Sequence, residues 1–186
     1  ALPNEIPQMS VGLLLDESGS MCSCDRCTYA RSSAIILYDF CKALHIPVTV
    51  YGHSTSGNSV ELYSYAEFES IDNDDKYRMM DIAARGSNRD GAALRFVAEQ
   101  LVKRPEEVKI LILVSDGQPA APGYYGSAAE EDLRGIRQEY RRKGVLFIAA
   151  AIGEDKQNIE RIYGDSFMDI TDLNQLPVKL TAAVKR

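Results

Sequence analysis

Residues 11–15, Val-Gly-Leu-Leu-Leu, run apolar without alternation and stop abruptly at Asp16. A strand exposed on one face would alternate polar and apolar side chains, so this one must be covered by helices on both faces. Asp16, Ser18 and Ser20 follow in the turn where the run ends. One carboxylate and two hydroxyls offer only hard oxygen ligands, which suit a small hard cation such as Mg²⁺. The competing local reading is a helix-capping turn, where Asp and Ser are favoured for their own backbone hydrogen bonds.

Two further apolar runs, 108–114 and 145–152, repeat the signature of a doubly covered strand. Between them the period changes to that of helices. Segment 28–44 places Ala30, Ala34, Leu37, Tyr38, Cys41 and Leu44 on one face. Further helices are expected over 74–84, 92–102, 128–142, 156–163 and 173–184, and a short strand over 167–170. Segments 47–52 and 59–68 read as strands, with Gly57 and Asn58 between them turning the chain back on itself. This order predicts an α/β fold: an open, mostly parallel sheet with one antiparallel edge strand and helices on both faces. A chain of 186 residues, 45% of them hydrophobic, suits one domain with one sizeable core.

In such sheets ligands bind beyond the carboxyl ends of the strands, where the strand order reverses. Asp16 ends the first strand, in DESGS, and Asp116 follows the strand over 108–114, in VSDGQP. The loop 86–91, GSNRDG, opens a helix and directs Asp90 toward the same crevice.

Several function classes are excluded. A net charge of −6, with no basic run interleaved with aromatics, does not make a nucleic-acid surface. The longest apolar stretches are far too short to span a bilayer, and the opening ALPNEIPQMS lacks the pattern of a secretory leader. No glycine-rich phosphate loop is present, so no nucleotide cofactor is expected. A haloacid-dehalogenase-type phosphatase would need a second Asp where Ser18 stands. A nucleophile elbow would need glycines two residues either side of the serine, where Asp16 and Ser20 stand. No histidine is near these motifs in the sequence.

Three of the four cysteines, Cys22, Cys24 and Cys27, are bunched in CSCDRC, which is not the spacing of a disulfide framework. Inert loop cysteines are the simplest reading. The alternatives are a redox pair or a soft-metal centre, in which His53 would be the fourth zinc ligand. Cys41 is in phase with the apolar helix face and His45 with the helix end. The acidic turn 72–75 lacks the glycine and glutamate of a calcium-binding EF-hand loop and reads as a helix cap. Tyr124 and Tyr125, flanked by Gly123 and Gly126, either contact a partner or pack within their own loop.

The pattern D-x-S-x-S at a strand end, SDG at the end of a second buried strand, and the loop G-x-x-x-D-G-x-A-L between them resemble the metal-ion-dependent adhesion site of von Willebrand factor A domains. Asp90 stands where many such domains have a threonine. With the terminal segment FMDITDLNQLPVKL, these features resemble one branch of the family. That branch holds the C-terminal domains of the nitric oxide reductase activation protein and of the cobaltochelatase accessory subunit.

The resemblance implies a single von Willebrand A-like domain over 1–186, the C-terminal part of a longer protein. It implies Mg²⁺, or Mn²⁺ or Ca²⁺ in its place, held by Asp16, Ser18, Ser20, Asp90 and Asp116. It also implies a cytoplasmic protein-recognition adaptor rather than an enzyme. Its expected partners are a MoxR-type AAA+ ATPase, which would carry any ATP hydrolysis, and a client metalloenzyme such as nitric oxide reductase, to be activated or metallated. The alternative function is a metal-sensing or redox-regulated module built on the cysteine cluster. Three aspartates facing a dication would leave about one net negative charge and weaken capture of a partner carboxylate. Asp90 therefore either acts through a water or pairs with Arg89.

Overall fold

The structure, a computed structural model, describes residues 7–70, 74–116, 119–151, 156–169, 172–175, 178 and 182. The chain begins with β1 (Met9–Asp16), passes through a 3₁₀ turn (Gly19–Asp25) into α1 (Arg26–Ala43), and returns as β2 (Val48–Ser56). A hairpin leads to β3 (Ser59–Ala66), followed by the short α2 (Asp75–Arg78) and by α3 (Asp90–Val102). Next come β4 (Val108–Val114), a small ribbon of β5 (Ala120–Ala121) and β6 (Tyr124–Tyr125), and α4 (Gly126–Arg142). β7 (Val145–Ala151), α5 (Lys156–Tyr163) and β8 (Phe167–Asp169) complete the sheet.

The six-stranded sheet has the order β3-β2-β1-β4-β7-β8. β1 lies parallel between β2 and β4, with Val11 opposite Val48 on one side and Ile110 on the other. Only β3 is antiparallel, joined to β2 through Gly57, whose φ of 58° supplies the positive angle that a two-residue loop needs. The expected edge hairpin is therefore present.

The apolar run of β1 divides its side chains between two cores. Val11, Leu13 and Leu15 meet Ala30, Ala34, Leu37 and Cys41 of α1 on one face. On the other face Leu14 packs with Ala93, Leu94, Val97 and Leu101 of α3, beside Leu133 and Ile136 of α4 and Ile159 of α5. Gly12 brings α3 close to the sheet, since a Cβ there would lie 2.8 Å from Val97 Cγ1. Helix–sheet packing on both faces accounts for the unbroken apolar strands.

Three expectations need correction. The helix expected over 74–84 is only α2 followed by a 3₁₀ turn at Met79–Asp81. Tertiary bonds claim the backbone beyond it: Ile82 O accepts from Arg31 and Cys27, and Ala83 N donates to Glu17. The strand expected over 47–52 continues to Ser56, because β3 pairs along its whole length. The segment holding Cys22 and Cys24 is a 3₁₀ turn rather than a loop. Of the helix expected over 173–184, a 3₁₀ turn at Leu173–Gln175 is described, and most of the rest lies outside the described residues. No helix among the described residues is long and apolar enough to cross a membrane.

Candidate metal and recognition site

The chain leaves β1 toward β2 on one side and enters β4 on the other, so the switch point lies at the carboxyl ends of β1 and β4. Asp16 stands there, buried, with its carboxylate held from three directions. Ser18 N donates to Oδ1 at 2.8 Å. Asn88 Nδ2 and Ser115 Oγ donate to Oδ2 at 2.9 and 3.0 Å. The hydroxyls of Ser18 and Ser20 lie 3.0 Å apart, Ser18 buried and Ser20 facing solvent. Asp16, Ser18 and Ser20 thus form one cluster that opens outward at Ser20.

Asp90 starts α3 and is also buried. It does not pair with Arg89, whose guanidinium donates to Pro122 O at 2.6 Å and lies over the Tyr124 ring. Instead Asp90 Oδ1 is 3.0 Å from Nε2 of His53, which is fully buried on β2 directly opposite Asp16. With the imidazole protonated, the two form a buried ion pair.

Burial, and then the nearby Asp90 carboxylate, push the Asp16 carboxyl above its ordinary range, against the opposing pull of His53 and Ser18. For His53, burial alone would lower the imidazole, but Asp90, Asp16 and Glu17 outweigh it and the net shift is upward. Histidine therefore belongs to the site, although the sequence singles out His53 only as the fourth ligand of a cysteine-bound zinc.

Asp116 is buried two residues past the end of β4, next to the Ser115 that holds Asp16. Strand-end geometry places it at the switch point, as expected.

The loop over residues 82–89 is tied to both strand ends. Gly19 N donates to Gly86 O at 2.6 Å, Arg85 N to Glu17 O at 2.6 Å, and Gly86 N to Ser54 Oγ at 2.8 Å. Thr55 and Ser87 exchange backbone hydrogen bonds, which carries Asn88 to Asp16. Glu17, the unremarked second residue of DESGS, is buried and accepts from Tyr65 OH, Ala83 N and Arg85 Nε. Glu17, Asn88 and Ser115 escaped the sequence reading, which named His53 only beside the cysteines. For all three a signal did exist: they lie inside motifs already singled out.

The other flagged features divide. Tyr124 packs inward: its hydroxyl donates to Asp132 at 2.7 Å, and a Cβ on Gly91 would fall 2.6 Å from that oxygen. Tyr125 is 70% exposed. One tyrosine thus packs and its neighbour projects. Cys22 is exposed, Cys27 donates its thiol to Ile82 O, Cys41 is buried in the core, and these three are free thiols. The Cys24 side chain lies outside the described part. In the acidic turn, residues 72 and 73 also lie outside it. Asp74 O accepts from Tyr77 N and Arg78 N, while Asp75 is a buried anchor that binds Tyr38, Ser70 and Arg78.

Among the described residues, no three His, Cys, Asp or Glu side chains converge closely enough to hold an ion by themselves. Any cation here would therefore use the serine hydroxyls and water as well as carboxylate.

A mostly parallel sheet with an antiparallel edge, helices on both faces and D-x-S-x-S at the switch point define a von Willebrand A-type domain. The fold comparison agrees. A von Willebrand factor type A structure from Catenulispora acidiphila superposes with TM-score 0.63 at 17% identity, covering 96% of this chain and 42% of that one. An aerotolerance-related membrane protein from Bacteroides fragilis gives TM-score 0.69 at 12% identity, over 95% of this chain and 98% of that one.

Within that class, residues 76–186 match the family described as the cobalamin biosynthesis protein CobT VWA domain, and the chain belongs to it. The uncharacterized protein YojO of Bacillus subtilis (strain 168) is 26% identical over 188 residues, covering 94% of this chain and 29% of that protein. Protein NorD of Brucella suis biovar 1 is 34% identical over 97 residues, covering 50% of this chain and 15% of that protein. The chain spans less than a third of the length of these relatives.

Proposed function

We propose that the domain is a Mg²⁺-dependent protein-recognition adaptor, with no catalysis of its own. It would work with a MoxR-type AAA+ ATPase in the activation or metallation of a client enzyme such as nitric oxide reductase. The observation that carries this reading is the Ser18–Ser20 hydroxyl pair, 3.0 Å apart and anchored through Ser18 to the buried Asp16. In an octahedral site with metal–oxygen bonds of about 2.0–2.1 Å, neighbouring ligand atoms stand about 2.9 Å apart, so the hydroxyls already have the spacing of one edge. Asp16, Ser18 and Ser20 would hold the ion directly or through water, with Asp90 and Asp116 completing the oxygen set. When bound, the cation would offer a coordination position to a partner's oxygen ligand, with capture of a carboxylate weakened by the three aspartates. Exposed Ser20 and Tyr125 lie in the two loops that such a partner would meet. The adaptor reading also places the protein in the cytoplasm, beside its ATPase.

The test is calorimetric titration of the chain and of Asp16→Asn with Mg²⁺ and Mn²⁺, followed by capture of a MoxR-type ATPase in Mg²⁺ and in EDTA. Mg²⁺-dependent capture that is lost in the variant is expected. Equal capture in EDTA would overturn the role of the metal.

A further inference from the structure

We propose that Arg89 anchors a carboxylate of the partner protein, so that the domain recognises an acidic segment through a guanidinium beside the switch point. The inference rests on the recognition role proposed above and not on the ion.

Arg89 ends the loop over residues 82–89 and immediately precedes α3. Its Nη2 donates to Pro122 O at 2.6 Å, and its guanidinium carbon lies 5.7 Å from the centre of the Tyr124 ring. The other two nitrogens have no acceptor among the described residues: Nε is buried, and Nη1 is open to solvent. The charge is therefore met by a neutral carbonyl and a ring face rather than by a carboxylate. Asp90, next to it in the chain, is taken by His53 at 3.0 Å. Neighbouring arginines differ. Arg85 in the same loop pairs with Glu17, Arg95 on α3 with Asp132 and Glu139, and Arg137 on α4 with Asp165.

The carbonyl and the ring hold the guanidinium in place, so little side-chain freedom is lost when a ligand arrives. A planar fork with unspent N–H groups suits a carboxylate, which can accept two parallel bonds from it. The support beneath is fixed. Pro122 and Gly123 turn the ribbon between Ala121 and Tyr124, Gly123 with a φ of 72° that glycine adopts without strain, and Tyr124 is tied to Asp132. Tyr125 on the same ribbon is 70% exposed. Arginine and tyrosine are among the residues that most often dominate binding energy at interfaces. The matching segment of the partner carries an Asp or Glu with an apolar residue beside it.

Binding of the labelled chain to an array of synthetic nonapeptides in EDTA tests the proposal. The peptides share one set of apolar-rich flanks and differ only in a central Glu, Asp, Gln, Asn or Lys. A chain of net charge −6 repels acidic peptides in general, so a preference for them requires a local cation. Wild type is expected to bind the Glu- and Asp-centred peptides about 10-fold or more tightly than their amide counterparts. That comparison needs no variant. Arg89→Gln should abolish the preference, and Arg89→Lys, which keeps the charge but not the fork, should retain part of it. No preference for acid in wild type, or one that survives in Arg89→Gln, would overturn the role of Arg89. A preference that appears only with Mg²⁺ and is lost in Asp16→Asn would also overturn it, while leaving the metal reading standing.

Discussion

Glu17 fills the space that a side chain at position 52 would need: a Cβ on Gly52 would lie 1.6 Å from Glu17 Oε2. The pair joins the turn after β1 to the middle of β2, and the carboxylate goes on to hold Tyr65, Ala83 and Arg85. Gly52→Ala must expel that carboxylate from its donors. It should therefore cost at least about 3 kcal/mol, combining overpacking with stranded buried donors. In a Glu17→Ala background the same substitution should cost much less, because the two changes share one contact. Urea denaturation of the two single variants and the double variant checks this. Additive losses would show that Glu17 is not the obstacle.

Asp16 satisfies three buried donors while suffering repulsion from Asp90. The donors outweigh the relief that removing the charge would bring. Asp16→Ala should lower stability by about 1–3 kcal/mol, and Asp16→Asn, which keeps one acceptor oxygen, by less. Both should lose Mg²⁺ binding. Thermal melts in EDTA measure the first effect and calorimetry the second. An Asp16→Ala variant more stable than wild type would show that repulsion dominates.

The two neighbouring tyrosines should separate stability from recognition. Tyr124→Phe removes the bond to Asp132 and should cost about 0.5–1.5 kcal/mol. Tyr125→Ala should leave stability within about 0.5 kcal/mol of wild type and weaken partner capture. Comparing melting temperature with capture yield for both variants distinguishes the roles. A reversed pattern would mean that Tyr125 packs and Tyr124 recognises.

Arg104 donates twice to Glu106, at 3.0 and 2.7 Å, and this pairing holds the Glu106 carboxyl below its ordinary range. A folded-state value below the unfolded one adds stability above the ordinary glutamate range, which is lost as pH falls through the folded value. Glu106 is largely buried but Arg104 is partly open to solvent, so Glu106→Gln should cost only about 0.5–1 kcal/mol at pH 7. The difference from wild type should close as pH falls through that lowered folded value. Denaturation curves at neutral and acid pH check the sign, and a gap that widens in acid would contradict it.

Periodicity alone determined the strands at 108–114 and 145–152 (described as far as 151), the edge hairpin through Gly57 and the doubly covered sheet. An apolar run or a turn glycine is a local signal, and packing here follows it. Asp16, Ser18 and Ser20 were legible for the same reason, since their relation is set within five residues of one turn. Only the tertiary structure decided what holds Asp16 and what faces Asp90. Asn88 and Ser115 reach Asp16 across 72 and 99 residues of chain, and His53 meets Asp90 only because β2 lies beside β1 while α3 crosses above them. No local pattern encodes such meetings. A buried polar side chain finds its partners where strand order and register place them, and those are properties of the packed sheet rather than of any segment.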